Sequence, residues 1–461
     1  MHSTIRGALS VSGVLAVLAA LSSGCSNGGA QTDSADKPNA KPHRGLGNIL
    51  VGGQPVTGSK ATGNKKVPYQ RTYTDGALYA PVTGYRSMGY GSAGLEAVYG
   101  DVLAGTASGT ASGDVVTTID PKAQKAAFDA LGDRQGAAVA LDAESGKLLT
   151  VVSTPSYDPA TFSGHRPADE KAWKAANADE RSPMRNRALR QASAPGGTFS
   201  IVVAAAALEA GLYKTVDDRT NSPLPYVLPL TTTSVTGASP QCKDASIRQA
   251  LRHSCDNVFA KIAADLGAAR LRSTAERFGF NDDSLAVPVK VSKSSYPQGD
   301  VSAPEAALTG IGQGTLTATP LEMARVAAVI ANGGRLVAPQ MVERVEKADG
   351  STEKPKTSGG QVEQVVSRDT ADALRSALRT AASDVLSQGS EGTESGIGGK
   401  TGQVTETQNS ATSWFTAYAD GANGRRIAVA ACVEGPPPSG EGEKGTEQAV
   451  AVVEEILASM S

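Results

Sequence analysis

Residues 398–419 read GGKTGQVTETQNSATSWFTAYA. The first part, around Lys400-Thr401-Gly402, reads as an edge strand. SATSWFTAYAD (410–420) and RRIAVAACVE (425–434) read as adjacent strands, and TEQAVAVVEEILASM (446–460) as an amphipathic closing helix. A lone Lys-Thr-Gly is a common tripeptide and carries no chemistry by itself. Two upstream segments give it weight: Pro195-Gly196-Gly197-Thr198-Phe199-Ser200 and Ser254-Cys255-Asp256.

From residue 115 the chain alternates strand-like and helix-like segments. VVTTID ends a strand, and PKAQKAAFDAL (121–131) opens a helix on Pro121. GAAVALDAESGKLLTVVS (136–153) reads as a hairpin around Asp142–Gly146. FSIVVAAAALEAG (199–211) and PLEMARVAAVIANGG (320–334) read as apolar helices closed by glycine. Strands at both ends around a helical middle imply an α+β domain, residues 115–461, whose sheet is completed by the last strands. Residues 347–361 and 385–399 are polar, Gly/Ser-rich loops, and no internal repeat is present.

The N-terminal part is different. Residues 8–21, ALSVSGVLAVLAAL, follow a weakly positive start (His2, Arg6) and end in Ser22-Ser23-Gly24-Cys25. That is a signal peptide over 1–24 of lipoprotein type, with Cys25 as the lipid attachment, although Leu21 stands four places before the cysteine instead of three. The rest of the chain is then extracytoplasmic, anchored to the outer face of the plasma membrane, or simply secreted. Residues 25–66 have few large apolar side chains and read as a disordered tether. Residues 67–114 read as a small N-terminal domain of short strands with a helix near Leu95–Leu103.

The chain has 461 residues, enough for two or three domains, and a net charge of −2, which gives no electrostatic reason for a nucleic-acid partner. The four His and four Cys show no metal-ligand spacing, so no metal or other cofactor is expected. Export makes a disulfide possible, with Cys242 and Cys255 the nearer pair; Cys432 reads as a buried strand residue.

In order and surroundings the segments NRALRQASAPGGTF, SIRQALRHSCDNVFAKIAADLG, GIGQGTLTATPLEMARVAAVIANGG and GGKTGQVT resemble the transpeptidase domain of penicillin-binding proteins. With YAPVTGY…YGSAGLE as lead-in, the resemblance is to the actinobacterial, elongation-type class B group. It implies an antiparallel five-stranded sheet between helices, with Gly197 at the start of helix 198–210 and facing Lys400. It also implies a serine nucleophile at position 197 and a lysine base at 200. Gly197 has no side chain to acylate, and Ser200 is neutral. Ser34-x-x-Lys37 and Ser351-x-x-Lys354 fit the spacing by letter but stand in polar, helix-poor stretches.

The retained parts are Ser254 and Lys400, with Thr401, Gly402 and Gln403 as substrate-binding positions; the backbone N–H groups of Gly197 and Gln403 would serve an oxyanion hole, and Thr401 would hydrogen-bond a carboxylate. Asp256 replaces an amide that the resemblance would place there, and a Lys400–Asp256 salt bridge is expected. These residues imply a catalytically degenerate homologue in peptidoglycan and cell-wall biogenesis. Its expected partners are stem peptides or β-lactams, held weakly and non-covalently, and other cell-envelope proteins. The alternatives are an active D,D-transpeptidase or carboxypeptidase with an unrecognised nucleophile, and a structural scaffold with an empty pocket.

Overall fold

The computed structural model describes residues 45–105, 111–355, 362–386, 396–421, 424–437 and 445–460. Residues 1–24, expected as a signal peptide, Cys25 and the Ser34-x-x-Lys37 spacing lie outside the described residues. Helix α1 (Pro121–Leu131) starts where the sequence places it, because Asp120 Oδ1 accepts from the backbone N of Lys122 (2.8 Å) and Ala123 (3.0 Å). Strands β1 (Gly136–Asp142) and β2 (Leu148–Thr154) form the expected hairpin. Its turn needs a glycine: Gly146 has φ +73°, and a Cβ there would fall 2.1 Å from Ala338 O.

Helix α2 (Ser200–Glu209) is entered through a single tight turn at Gly196–Phe199. Ile201 to Ala207 are all buried, as expected of a helix that is apolar all round. Helix α3 (Asp256–Leu266) packs on α2, and α4 (Pro320–Ala331), capped by Thr319, lies on the sheet. Strands β3 (Gly398–Thr407), β4 (Ser410–Asp420) and β5 (Arg426–Gly435) complete the sheet in the order β3-β4-β5-β1-β2, antiparallel throughout. Helix α5 (Glu447–Ser459) closes the fold against α1.

The sheet serves two cores. Trp414, Tyr418, Ala428 and Ala430 face the cluster that includes α2, α3 and α4, whereas Phe415, Ala417, Val429 and Ala431 face α1 and α5. This period-two division explains why β4 and β5 read as nearly continuous apolar runs: both faces are covered. The edge strand β3 has only one sheet neighbour, and its free side is turned to the Gly196–Phe199 turn.

A second five-stranded sheet corrects the expected tether. The described part of 25–66 is folded: Ile49–Val51 pairs with Gln54–Pro55 and runs parallel to Asp114–Thr117, which in turn pairs with Val342–Glu346. Ile49, Val51 and Val56 are buried, so three apolar residues are enough once a sheet edge receives them. The boundary drawn between 114 and 115 consequently passes through a strand. Two short helices, Leu95–Val98 and Gly100–Ala104, stand where one was expected, and GALYAPVT (76–83) is a helix despite Pro81.

A fully buried ion pair holds this N-terminal region. Arg71 Nε lies 2.6 Å from Glu96 Oε1, and Arg71 Nη1 donates to Gly47 O (2.6 Å). Burial raises the Glu96 carboxyl above the usual range, and Arg71 opposes the rise. Removing one partner strands the other charge. Arg71→Ala is therefore expected to lower the unfolding free energy by about 3–5 kcal/mol, read by urea denaturation; a change below about 1 kcal/mol would contradict this role.

Candidate active site

Three segments meet at the edge of the sheet: the turn Gly196–Phe199, the corner between helix Ile247–His253 and α3, and strand β3. The first and third touch through backbone. A Cβ on Gly402 would fall 2.7 Å from Pro195 O and 3.0 Å from Gly197 N, and one on Gly312 would fall 1.9 Å from Gly196 O. Gly196 itself has φ +54° and donates its N–H to Gly312 O (3.1 Å). Glycine at 402 and 312 thus allows the strand and the turn to close on each other.

Gly197 faces Lys400 as expected: a Cβ there would fall 3.5 Å from Lys400 Nζ and 3.2 Å from Thr401 O. Lys400 is buried, and its Nζ donates to Ser254 Oγ (2.9 Å) and Thr401 O (2.7 Å). Ser254 occupies the left-handed region at φ 51°, a conformation that costs a serine about 1–3 kcal/mol and so marks a built corner. Ser200 is buried and its hydroxyl donates to Gly197 O (2.7 Å), so it closes the turn instead of serving as a base. Thr401 and Gln403 are half-buried and Gly402 is buried; Gln403 N lies 3.1 Å from where a Gly196 Cβ would be. Beyond Gln403 opens a cavity of about 480 Å³, lined also by Ala194, Gln313 and Thr405.

Asp256 opens α3 beside this group. Burial pushes its carboxyl up to about 6, and the Lys400 charge pulls it down. The expected salt bridge is thus only a through-space attraction: among the described contacts, the Lys400 ammonium spends its bonds on Ser254 and Thr401 O. Asn257 does not restore the missing amide, although it follows directly in the sequence. It is fully buried, and its Nδ2 donates to Pro223 O (2.9 Å) and Cys242 O (3.0 Å). This bracing role was not foreseen; the Asp-Asn pair was its signal. Cys242 and Cys255 form a disulfide across 13 residues, which ties the residue between Ser254 and Asp256 to the preceding loop. Cys255 is therefore no free nucleophile. Cys432 is a buried thiol, which burial pushes up to about 12. Ser351 and Lys354 flank a short strand and are exposed.

The family profile described as "Penicillin binding protein transpeptidase domain" matches residues 136–458. The chain belongs to the penicillin-binding protein transpeptidase family. A second profile, "Penicillin binding protein A dimerisation domain", matches residues 46–127. Among curated relatives, the peptidoglycan D,D-transpeptidase PbpA of Mycolicibacterium smegmatis is 34% identical over 420 residues, 85% of this chain and 84% of its own. Among solved structures, a crystal structure of PBPA from Mycobacterium tuberculosis has a TM-score of 0.82 at 30% identity, covering 90% of this chain and 99% of that one. An imipenem acyl-enzyme complex of the M. tuberculosis protein has a TM-score of 0.81 at 31% identity, with 90% and 98% covered.

The folded value for Asp256 lies above the ordinary 3.8, so this penicillin-binding protein homologue holds that proton more tightly when folded. The stabilising contribution is full below pH 3.8 and is lost as pH rises through about 6. Between these values the wild type is expected to lose, on the order of, 2–3 kcal/mol relative to Asp256→Asn. Paired urea titrations across that range check it, and parallel curves would refute the assignment.

Proposed function

We propose that this chain is a peptidoglycan-directed penicillin-binding protein homologue in cell-wall biogenesis that binds its ligand without covalent catalysis. The reading rests on one observation above all: position 197, which faces Lys400 Nζ and Thr401 O, carries no side-chain atom. The hydroxyl three residues on is buried and bonded to Gly197 O. What remains is a shaped groove with backbone donors, Thr401 and one buried ammonium, suited to a peptide carboxylate but not to forming an acyl-enzyme. Asp256 weakens the local positive charge that would attract such a carboxylate. Stem peptides and β-lactams are accordingly weak, non-covalent ligands, and other envelope proteins are the partners through which binding is put to use. The protein works outside the cytoplasm, where peptidoglycan is, held by a lipid on Cys25. Among the described residues no helix is long and apolar enough to cross a membrane.

One observation favours a second reading. The Lys400 Nζ to Ser254 Oγ hydrogen bond is a serine–lysine pair, so an active enzyme with an unrecognised nucleophile would use Ser254. Intact-protein mass spectrometry after incubation with penicillin G or imipenem separates the two. No adduct is expected on the wild type; an adduct on Ser254 would establish the second reading. Gly197→Ser/Ser200→Lys/Asp256→Asn is expected to gain a β-lactam adduct on residue 197, since a Cβ there needs Thr401 O to give by only a few tenths of an ångström. A thermal shift with stem peptide that saturates is expected on the wild type, and its absence would mean that the pocket is empty.

A further inference from the structure

A cavity of about 560 Å³ lies away from Gly197, where the segment matching the dimerisation profile meets the one matching the transpeptidase profile. Its floor is apolar, made by Pro81 and Leu189, and its aromatic wall is Tyr85 and Tyr157. Its rim carries Arg185, Arg190 and Lys290, and no Asp or Glu lines it. All three cations are exposed, and among the described residues none forms an ion pair. In the cavity beside Arg71, by comparison, one of the three lining cations, Arg71, is paired with Glu96. Three like charges around one cavity repel one another, a cost that an anionic ligand would remove.

The wall is also held ready. Tyr85 is packed edge-on by Phe162 (5.6 Å between centroids), Trp173 (5.3 Å) and Tyr157 (6.3 Å). Trp173 in turn is stacked on Tyr90 at 4.8 Å. Arg190 Nη1 donates to Lys290 O (3.3 Å), and Ser292 N to Leu189 O (2.8 Å), which fixes the rim segments to each other. Rings that are already immobilised lose little entropy when a ligand covers them.

We propose that this cavity binds an anionic glycan, its sugar ring set in the angle between Tyr85 and Tyr157 and its carboxylate or phosphate groups taken by Arg185, Arg190 and Lys290. Two aromatic rings set edge to face beside exposed cations suit a ring bearing charge better than a bare ion, which needs no aromatic contact. The site is independent of the Gly197 groove, and occupancy of one does not require the other.

The test uses the folded, full-length chain after its signal segment, titrated by calorimetry with four defined probes. These are a uronic-acid oligosaccharide, a phosphodiester-linked oligosaccharide, a neutral chitin oligosaccharide and a poly-glutamate peptide. Saturable binding of at least one charged saccharide is expected, and which of the two binds more tightly names the anion. Arg185→Ala/Lys290→Ala is expected to weaken it by about tenfold or more, as is 1 M salt, whereas Lys400→Ala leaves it unchanged. Arg185→Glu, a surface change that leaves the fold intact by circular dichroism, is expected to abolish it. No binding of either charged saccharide, equal binding of the neutral one, poly-glutamate binding as tightly, or indifference to the rim substitutions would each overturn the proposal.

Discussion

The close approach of an edge strand to a turn is the constraint on which this site depends. Strand β3 brings Gly402 against Pro195 O and Gly197 N, and Gly312 braces the turn from behind. Because the contact is backbone on backbone, the position of Lys400 relative to residue 197 is set by main-chain packing and not by the side chains that would perform chemistry. That is why the groove keeps its form with a glycine at its centre. A scaffold that relied on a serine–lysine pair to hold the turn would have rearranged when both were absent; here the Ser200 hydroxyl closes the turn through Gly197 O.

Charge in the groove follows from the same geometry. Lys400 is buried and bonded to Ser254 and to the carbonyl of its neighbour, so its proton-donating capacity is largely committed. Asp256 lies near enough to feel it yet without a hydrogen bond, and burial outweighs the attraction. The two groups therefore balance in sign but do not neutralise each other by contact. An incoming carboxylate would meet one ammonium already shared and one acid of its own sign.

Much of this was legible in the sequence. The order of Pro195–Ser200, Ser254–Asp256 and Lys400–Gly402 marked the three corners of the site, and near-continuous apolar runs with glycine-closed helices marked the sheet and its covers. The misses have local causes. Residues 45–66 look like a tether because their strand partner, Asp114–Thr117, itself paired with Val342–Glu346, is distant in sequence. Asn257 looked like a neighbour of the motif, and only the chain path shows it holding the loop that carries Cys242. The Lys400–Asp256 bridge failed because sequence spacing says nothing about which acceptor an ammonium reaches first. The cation-rimmed cavity draws on residues 80 to 292, beyond the reach of any local pattern.

The second sheet has a consequence for how the chain matures. Val116 pairs with Leu50 on one side and with Arg344 on the other, so an N-terminal strand is completed by residues that follow it by more than two hundred positions. A chain that emerges across a membrane from its N-terminus would present residues 45–117 long before their last partner arrives. Contacts of such separation close slowly, and an unpaired strand edge invites wrong pairing meanwhile. Both members of the buried Arg71–Glu96 pair lie within the early segment, so neither waits for the late strand.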